Sequence, residues 1–352
     1  NHPEQFDEIV SFLGASYFRA LGKNHVYGMS ARGLAINTVS EATEEFPRFI
    51  GFWIERPAPE ATNLVVYALM DSTSVSGAYS FDITPGEDTR IRVHAVLFPR
   101  RPLEEYGLGA LTSMFWHGKN SPDRYGDFRP EVHDSDGLLM ARADGVWTWR
   151  PLWNDGDIHS VCITNNSPRG FGLIQRDRHF HNYQDMEAHY EIRPSVWIEP
   201  AGDWGAGVLR LVELPTGNEY SDNIVAYWRP EQKLVPGVPF EAAWDLHWYT
   251  ENPAWPPVAR CVNTFVAGDR VVLDFAGGLL PPKEGPPPVP VIDVDAGTSS
   301  GVHVMYNPDT AGWRIGFIVK RQNASQPVAL QTVLRDADGH PLSETWTYQL
   351  IP

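Results

Sequence analysis

The chain has 352 residues, with 44 acidic against 28 basic for a formal charge of −16, and 42% of it is hydrophobic against 20% charged. That balance describes a globular protein able to bury a large core. The acidic surface repels phosphate backbones and argues against nucleic acid as a partner. No apolar run approaches the roughly 20 residues of a membrane span, so no membrane insertion is expected.

In chain order, Phe6, Ile9, Val10, Leu13 and Phe18 fall at helix-like spacing, which predicts a helix over 6–21 stopped by Gly22. Beyond it the helical period vanishes. Strands are predicted at 64–70, 79–83, 91–98, 208–214 and 240–248, separated by turn signals such as Pro85–Gly86. The expected fold class is therefore all-β, a large antiparallel sandwich. The run Asn263–Asp269 reads as a joint, so the chain is divided into units 1–266 and 267–352. The second is expected to carry strands at 271–275, 302–306, 314–319, 328–334 and 345–350, with a stiff polyproline-like tract at 281–288. That pattern fits a small immunoglobulin-like sandwich. Cys162 and Cys261 have no metal-ligand spacing and read as two buried thiols.

The chemistry concentrates in the first unit. Within 129–137, Arg129, Glu131, His133, Asp134 and Asp136 crowd a segment punctuated by Pro and Gly; far downstream, Glu219, Tyr220 and Asp222 form a second acidic–aromatic group. Two carboxylate clusters in a chain with 13 Trp, 13 Tyr and 16 Phe suggest a site that grips sugar with rings and moves protons with carboxyl groups. The candidate rings are Trp116, Trp147, Trp149, Trp197, Trp204 and Tyr220, with Arg129, Arg150, Gln175 and Arg176 as polar partners. The competing reading makes each Asp a turn residue and each Trp a core residue. His133 and Asp136 flank Asp134 and can tune it in either direction, whereas Asp222 precedes an apolar strand; Asp134 is assigned as acid and Asp222 as base. His179, His181, Asp185 and His189 resemble a ligand set, but solvated histidines on a polar surface explain them better, so no metal is expected. A nucleophile elbow and a phosphate-binding glycine loop are both missing from the sequence.

Long irregular strings carry a resemblance over nearly the whole chain. They include 12–22, 27–36, 111–115, His133-Asp-Ser-Asp-Gly-Leu138, 149–152, 168–176, 193–200, Asp222-Asn-Ile-Val-Ala-Tyr-Trp228 and 344–349. Through them the chain resembles the periplasmic glucan biosynthesis family, proteins G and D, of osmoregulated periplasmic glucan metabolism. The resemblance implies a galactose-mutarotase-like β-sandwich followed by an immunoglobulin-like domain, and a periplasmic location. It implies work on β-1,2-glucan, as an anomer-inverting glycoside hydrolase or a transglycosylase, without a cofactor. The family's acid–base aspartates match Asp134 and Asp222, and Glu219 matches a further acidic position, giving three expected catalytic residues. Tyr220, Arg129, His133, Asp136, Trp116, Trp149, Arg150 and Arg176 are then the expected glucan-binding set. Family members carry further N-terminal β structure behind a signal peptide, and this chain opens after it. A glucan chain is the expected partner, and a homodimer is left open. The alternative is a non-catalytic glucan-binding scaffold that assists a membrane glucosyltransferase; paired acids favour the enzyme.

Overall fold

The structure, a computed structural model, describes residues 8–121, 126–251 and 255–352. The described chain is almost entirely β, as its alternating patterns require. In the strand Thr89–Pro99, for example, Ile91, Val93, Ala95 and Leu97 are buried while Arg90, Arg92 and Phe98 point outward or sit at the margin.

Two sheets form the body of the first unit. One runs in the order 10–14, 17–20, 30–32, 106–113, 224–230, 206–213, 159–166, with the short strand 35–36 also pairing to 106–113. The other runs 147–151, 137–141, 170–174, 195–200, 240–249, 89–99, 75–84, 64–71, 48–54. Their facing side chains make the main core, where Phe18 of the first sheet meets Phe81 at 5.2 Å and Trp248 at 5.9 Å in the second. Within the first sheet, 106–113 is buried throughout, and Gly107 lies so close to Tyr227 that an added Cβ would fall 2.3 Å from its ring.

A four-stranded sheet, 260–267, 270–276, 312–321, 297–307, opens the C-terminal part. Its partners 289–294, 328–335 and 345–350 continue the larger sheet, because Thr345 and Trp346 pair in parallel with Thr148 and Trp149. A second core spans this junction, combining Phe275, Phe317 and Trp346 with Trp147, Trp149 and Trp197. The segment read as a joint is thus a strand, Arg260–Ala267, belonging to the four-stranded sheet.

Two expectations are corrected. The opening helix is a hairpin: Val10–Gly14 pairs with Tyr17–Ala20, and Gly14 and Ala15 take positive φ (103° and 43°) at the turn between them. Phe12 and Phe18 then lie opposite each other on one face, a period of two that the apolar spacing disguised as a helical one. Phe6 lies outside the described residues. Of the cysteines only Cys261 is buried; Cys162 stands exposed on the outward face of the edge strand His159–Asn166, and both are free thiols. Among the described residues no helix is long and apolar enough to cross a membrane.

Candidate active site

The site forms where a short ribbon meets the edge of the first sheet. Phe115–His117 pairs with Val132–His133, and Asp134 follows with its N–H donated to the Met114 carbonyl at 2.8 Å. Asn223, immediately after Asp222, is buried and pins this ribbon from the other side. Its Oδ1 accepts the Phe115 N–H at 2.8 Å, and its Nδ2 donates to the Phe115 and Leu214 carbonyls at 3.0 and 2.9 Å. A single amide therefore joins the elements that carry Asp134 and Asp222.

The two carboxyl groups stand in different surroundings. Asp134 is buried, 4% exposed, and its Oδ1 accepts a bond from Arg193 Nη1 at 2.5 Å. Asp222 keeps about a third of its side chain exposed (36%), with Arg19 Nη2 at 3.7 Å. Partial burial, then the nearby charge of Asp134, hold the Asp222 carboxyl above the usual aspartate range, against the pull of Arg19 and Arg193. One acid is thus fixed to a guanidinium, while the other has a raised proton affinity and a looser counter-ion.

Glu219 has a different part. Arg129 donates to both its oxygens at 2.7 and 3.2 Å, and the Tyr190 hydroxyl donates at 2.5 Å. Arg129 also binds Asp127 and Asp185, so one guanidinium gathers three carboxylates. Burial and its bond to Glu219 keep the Tyr190 phenol protonated far above its ordinary range, and its ring lies 4.4 Å from the Arg193 guanidinium. Glu219 is therefore a fully bonded anchor for the loop that brings Tyr220 and Asp222 to the cleft. Tyr220 itself is 88% exposed, a bare ring at the rim. Trp116 is half-buried beside Arg129, whose guanidinium lies 6.0 Å from its ring.

The remaining expected sugar ligands lie elsewhere. His133 and Asp136 point away from Asp134 into a polar pocket facing the C-terminal sheet, lined also by Lys119, Glu131, Arg176 and Asn263. Nδ1 of His133 meets Gln175 Oε1 at 2.9 Å, while Nε2 faces Glu131 at 3.1 Å and Asp136 at 3.6 Å. Burial works against its imidazolium, but the Asp136 and Glu131 carboxylates outweigh it and push His133 up to about 9. Trp149 is a core residue at the junction, capped by the Arg176 guanidinium at 3.5 Å. Arg176 binds both oxygens of Glu344 at 2.6 and 2.8 Å and the Cys261 carbonyl at 2.8 Å, so it clamps the two sheets' ends together. Arg150 is buried against Glu213 at 3.5 Å. Trp147, Trp197 and Trp204 are buried as well. In this structure these side chains pack or pair within the protein: strand 147–151 is buried on both faces, with Trp147 and Trp149 in the junction core and Arg150 turned to Glu213.

Two groups of the described residues bring three potential ligand atoms within 4.8 Å: Glu131, His133 and Asp136, and the surface set Asp336, Asp338 and His340. In the first, the Lys119 ammonium lies 3.6 Å from Glu131 and also bonds Asp177, and His133 faces Glu131 and Asp136, so cations of the chain already stand against these carboxylates. His179 and His181 are exposed and stack on each other at 5.5 Å.

Sequence reasoning missed Arg193, Tyr190 and Arg19, which set the charges around the aspartates. For Arg19 alone a signal was present: it sits two residues from Tyr17, and Arg32 two from Ser30, a period that puts all four on one face of paired strands.

The comparisons give the family. The model of the periplasmic glucan biosynthesis protein MdoG matches residues 1–350, and the chain belongs to that family. It is 44% identical to glucans biosynthesis protein G of Ralstonia nicotianae, over 100% of this chain and 73% of that protein. It is also 44% identical to the probable glucans biosynthesis protein D of Shewanella oneidensis, over 98% of the chain and 66% of the relative. For glucans biosynthesis protein G of Vibrio cholerae the identity is 45%, over 99% and 65%. The chain spans about two thirds to three quarters of the length of these relatives.

Proposed function

We propose that this protein is an anomer-inverting glycoside hydrolase or transglycosylase acting on β-1,2-glucan in the periplasm. The observation that carries the catalytic part is the pair Asp134 and Asp222, near enough for the charge of one to act on the other yet held in unlike environments. Acid and base chemistry in one site is served by two carboxyl groups in unlike environments. The β-1,2 linkage, the inversion and the compartment rest on the family resemblance.

The surroundings support the reverse of the role assignment drawn from the sequence. Asp222, with its raised proton affinity and partial exposure, serves better as the acid that protonates the leaving glycosidic oxygen. Asp134, held by Arg193, then takes the other role, that of the base accepting the proton of the attacking hydroxyl. Arg193 and Tyr190 hold Asp134 in place, and Glu219 with Arg129 holds the loop of Asp222.

The scaffold reading uses the same groove without turnover. Purified protein incubated with linear β-1,2-glucan separates the two: shorter or cyclised chains, detected by mass spectrometry, are expected. A product one water short means intramolecular transfer, and only linear reducing fragments mean hydrolysis. Binding with no product from the wild type refutes the enzyme.

A further inference from the structure

The outer face of the first sheet continues past Asp222. One row across it reads Arg19, Ser30, Thr112, Val225; the next, two residues along the strands, reads Tyr17, Arg32, Ala110. Two residues of strand are about 7 Å, on the order of one sugar unit. Arg32 is 2% exposed and is held between the Tyr17 and Phe46 rings, each 5.1 Å from the guanidinium carbon. Its Nη1 donates to Glu44 at 3.2 Å, but Nε and Nη2 have no partner among the described residues.

Those two nitrogens form the side edge of the guanidinium, the one suited to two parallel bonds. Elsewhere in this molecule the same edge is filled: Arg92 Nε and Nη2 bind Asp245 at 2.8 and 2.7 Å, and Arg314 binds Asp274 at 2.7 and 2.7 Å. A buried donor pair left unmade is costly, and such a group calls for an explanation. We propose that Arg32 is the anchor of a glucose subsite beside Asp222, its free edge receiving two neighbouring hydroxyls of one sugar unit, with Phe46 as the ring that turns aside to admit it. Phe46 is half exposed (49%) and so can move at little cost. The neighbouring carboxylates Glu44 and Asp222 repel an anion, which favours a neutral polyol over a phosphate or carboxylate. The Tyr17 ring offers the apolar wall that a sugar face takes.

This subsite rests on the glucan reading above, and the test keeps the two apart. Wild type, Arg32→Lys and Arg32→Gln are titrated calorimetrically with β-1,2-glucooligosaccharides of increasing length. Lys keeps the charge but loses the fork. Expected is a loss of about tenfold or more in affinity for chains long enough to pass Asp222, with the shortest chains binding as to wild type. With a substrate of saturating length, KM rises while kcat stays close to wild type. The short chains report the folded fraction of each variant, so a destabilised variant is still read. If the wild type binds no chain of any length, the glucan reading fails. If it binds and both variants match it at every length, or lose all lengths equally while folded, Arg32 has no subsite role and the proposal is overturned.

Discussion

Arg176→Met tests the division of labour between the cleft and the junction behind it. The sequence put Arg176 among the sugar ligands; the structure makes it the partner of Glu344, whose side chain is fully buried. Truncating the guanidinium leaves that carboxylate with the Cys261 N–H at 2.8 Å and no directly paired cation, the charge of Arg260 acting only from beyond ion-pair distance. Breaking a buried pair by removing one member costs about 3–5 kcal/mol. Unfolding entropy near 2.1 cal/mol/K per residue gives ~0.7 kcal/mol/K for the 352-residue chain, so the midpoint should fall by about 4–7 °C. Adding Glu344→Gln removes the stranded charge, and the double variant should regain most of that loss. Scanning calorimetry reads the midpoints, and titration with a β-1,2-glucooligosaccharide reads the cleft, which should bind as in wild type. An unchanged midpoint together with a tenfold loss of glucan affinity would refute this reasoning and return Arg176 to the substrate.

Asp134→Asn and Asp222→Asn are nearly isosteric, and each should cut turnover on linear β-1,2-glucan by roughly 10²-fold or more while titration still shows binding; wild-type activity in either removes that residue from the mechanism. The raised proton affinity of Asp222 sets a sign for stability: the folded state holds its proton more tightly than the unfolded chain, so stability is lost as pH rises through the folded value. Wild type and Asp222→Asn should therefore unfold alike in acid, with the variant becoming the more stable above the ordinary aspartate range; thermal scans across pH that show the opposite order would contradict the assignment. Glu219→Gln keeps the shape of the anchor but weakens its hold on Arg129, and amide exchange over 214–223 should quicken while turnover drops about tenfold through misplacement of Asp222. Unaltered exchange with lost turnover would instead make Glu219 a reacting group.

The fold was largely legible because half-buried strands alternate, and segments such as 89–99 and 240–249 carry that alternation openly. The opening hairpin was not, since its turn depends on positive φ at Gly14 and Ala15, and only the glycine advertises this in sequence. The strand Arg260–Ala267 was hidden by a polar, half-exposed pattern that reads as linker. For the site, residue type marked the acids as a group, but not which ones share a face. Arg193 was invisible for a related reason: its bond to Asp134 crosses 59 residues, and nothing local in Arg193-Pro-Ser announces it.

The segment 131–136 shows why clustering alone misleads. Glu131, His133 and Asp136 face the pocket at the junction, while Asp134 faces the cleft. The imidazolium of His133 lies between two carboxylates, and Lys119 ties Glu131 to Asp177, so the inner acids have their own cations. The inner cluster also ties the ribbon to Asn263 through Lys119, at 3.0 Å, and so to the C-terminal sheet. The C-terminal strands thereby brace the ribbon from behind, and the position of Asp134 depends on them although none of their side chains contacts it within hydrogen-bonding distance among the described residues.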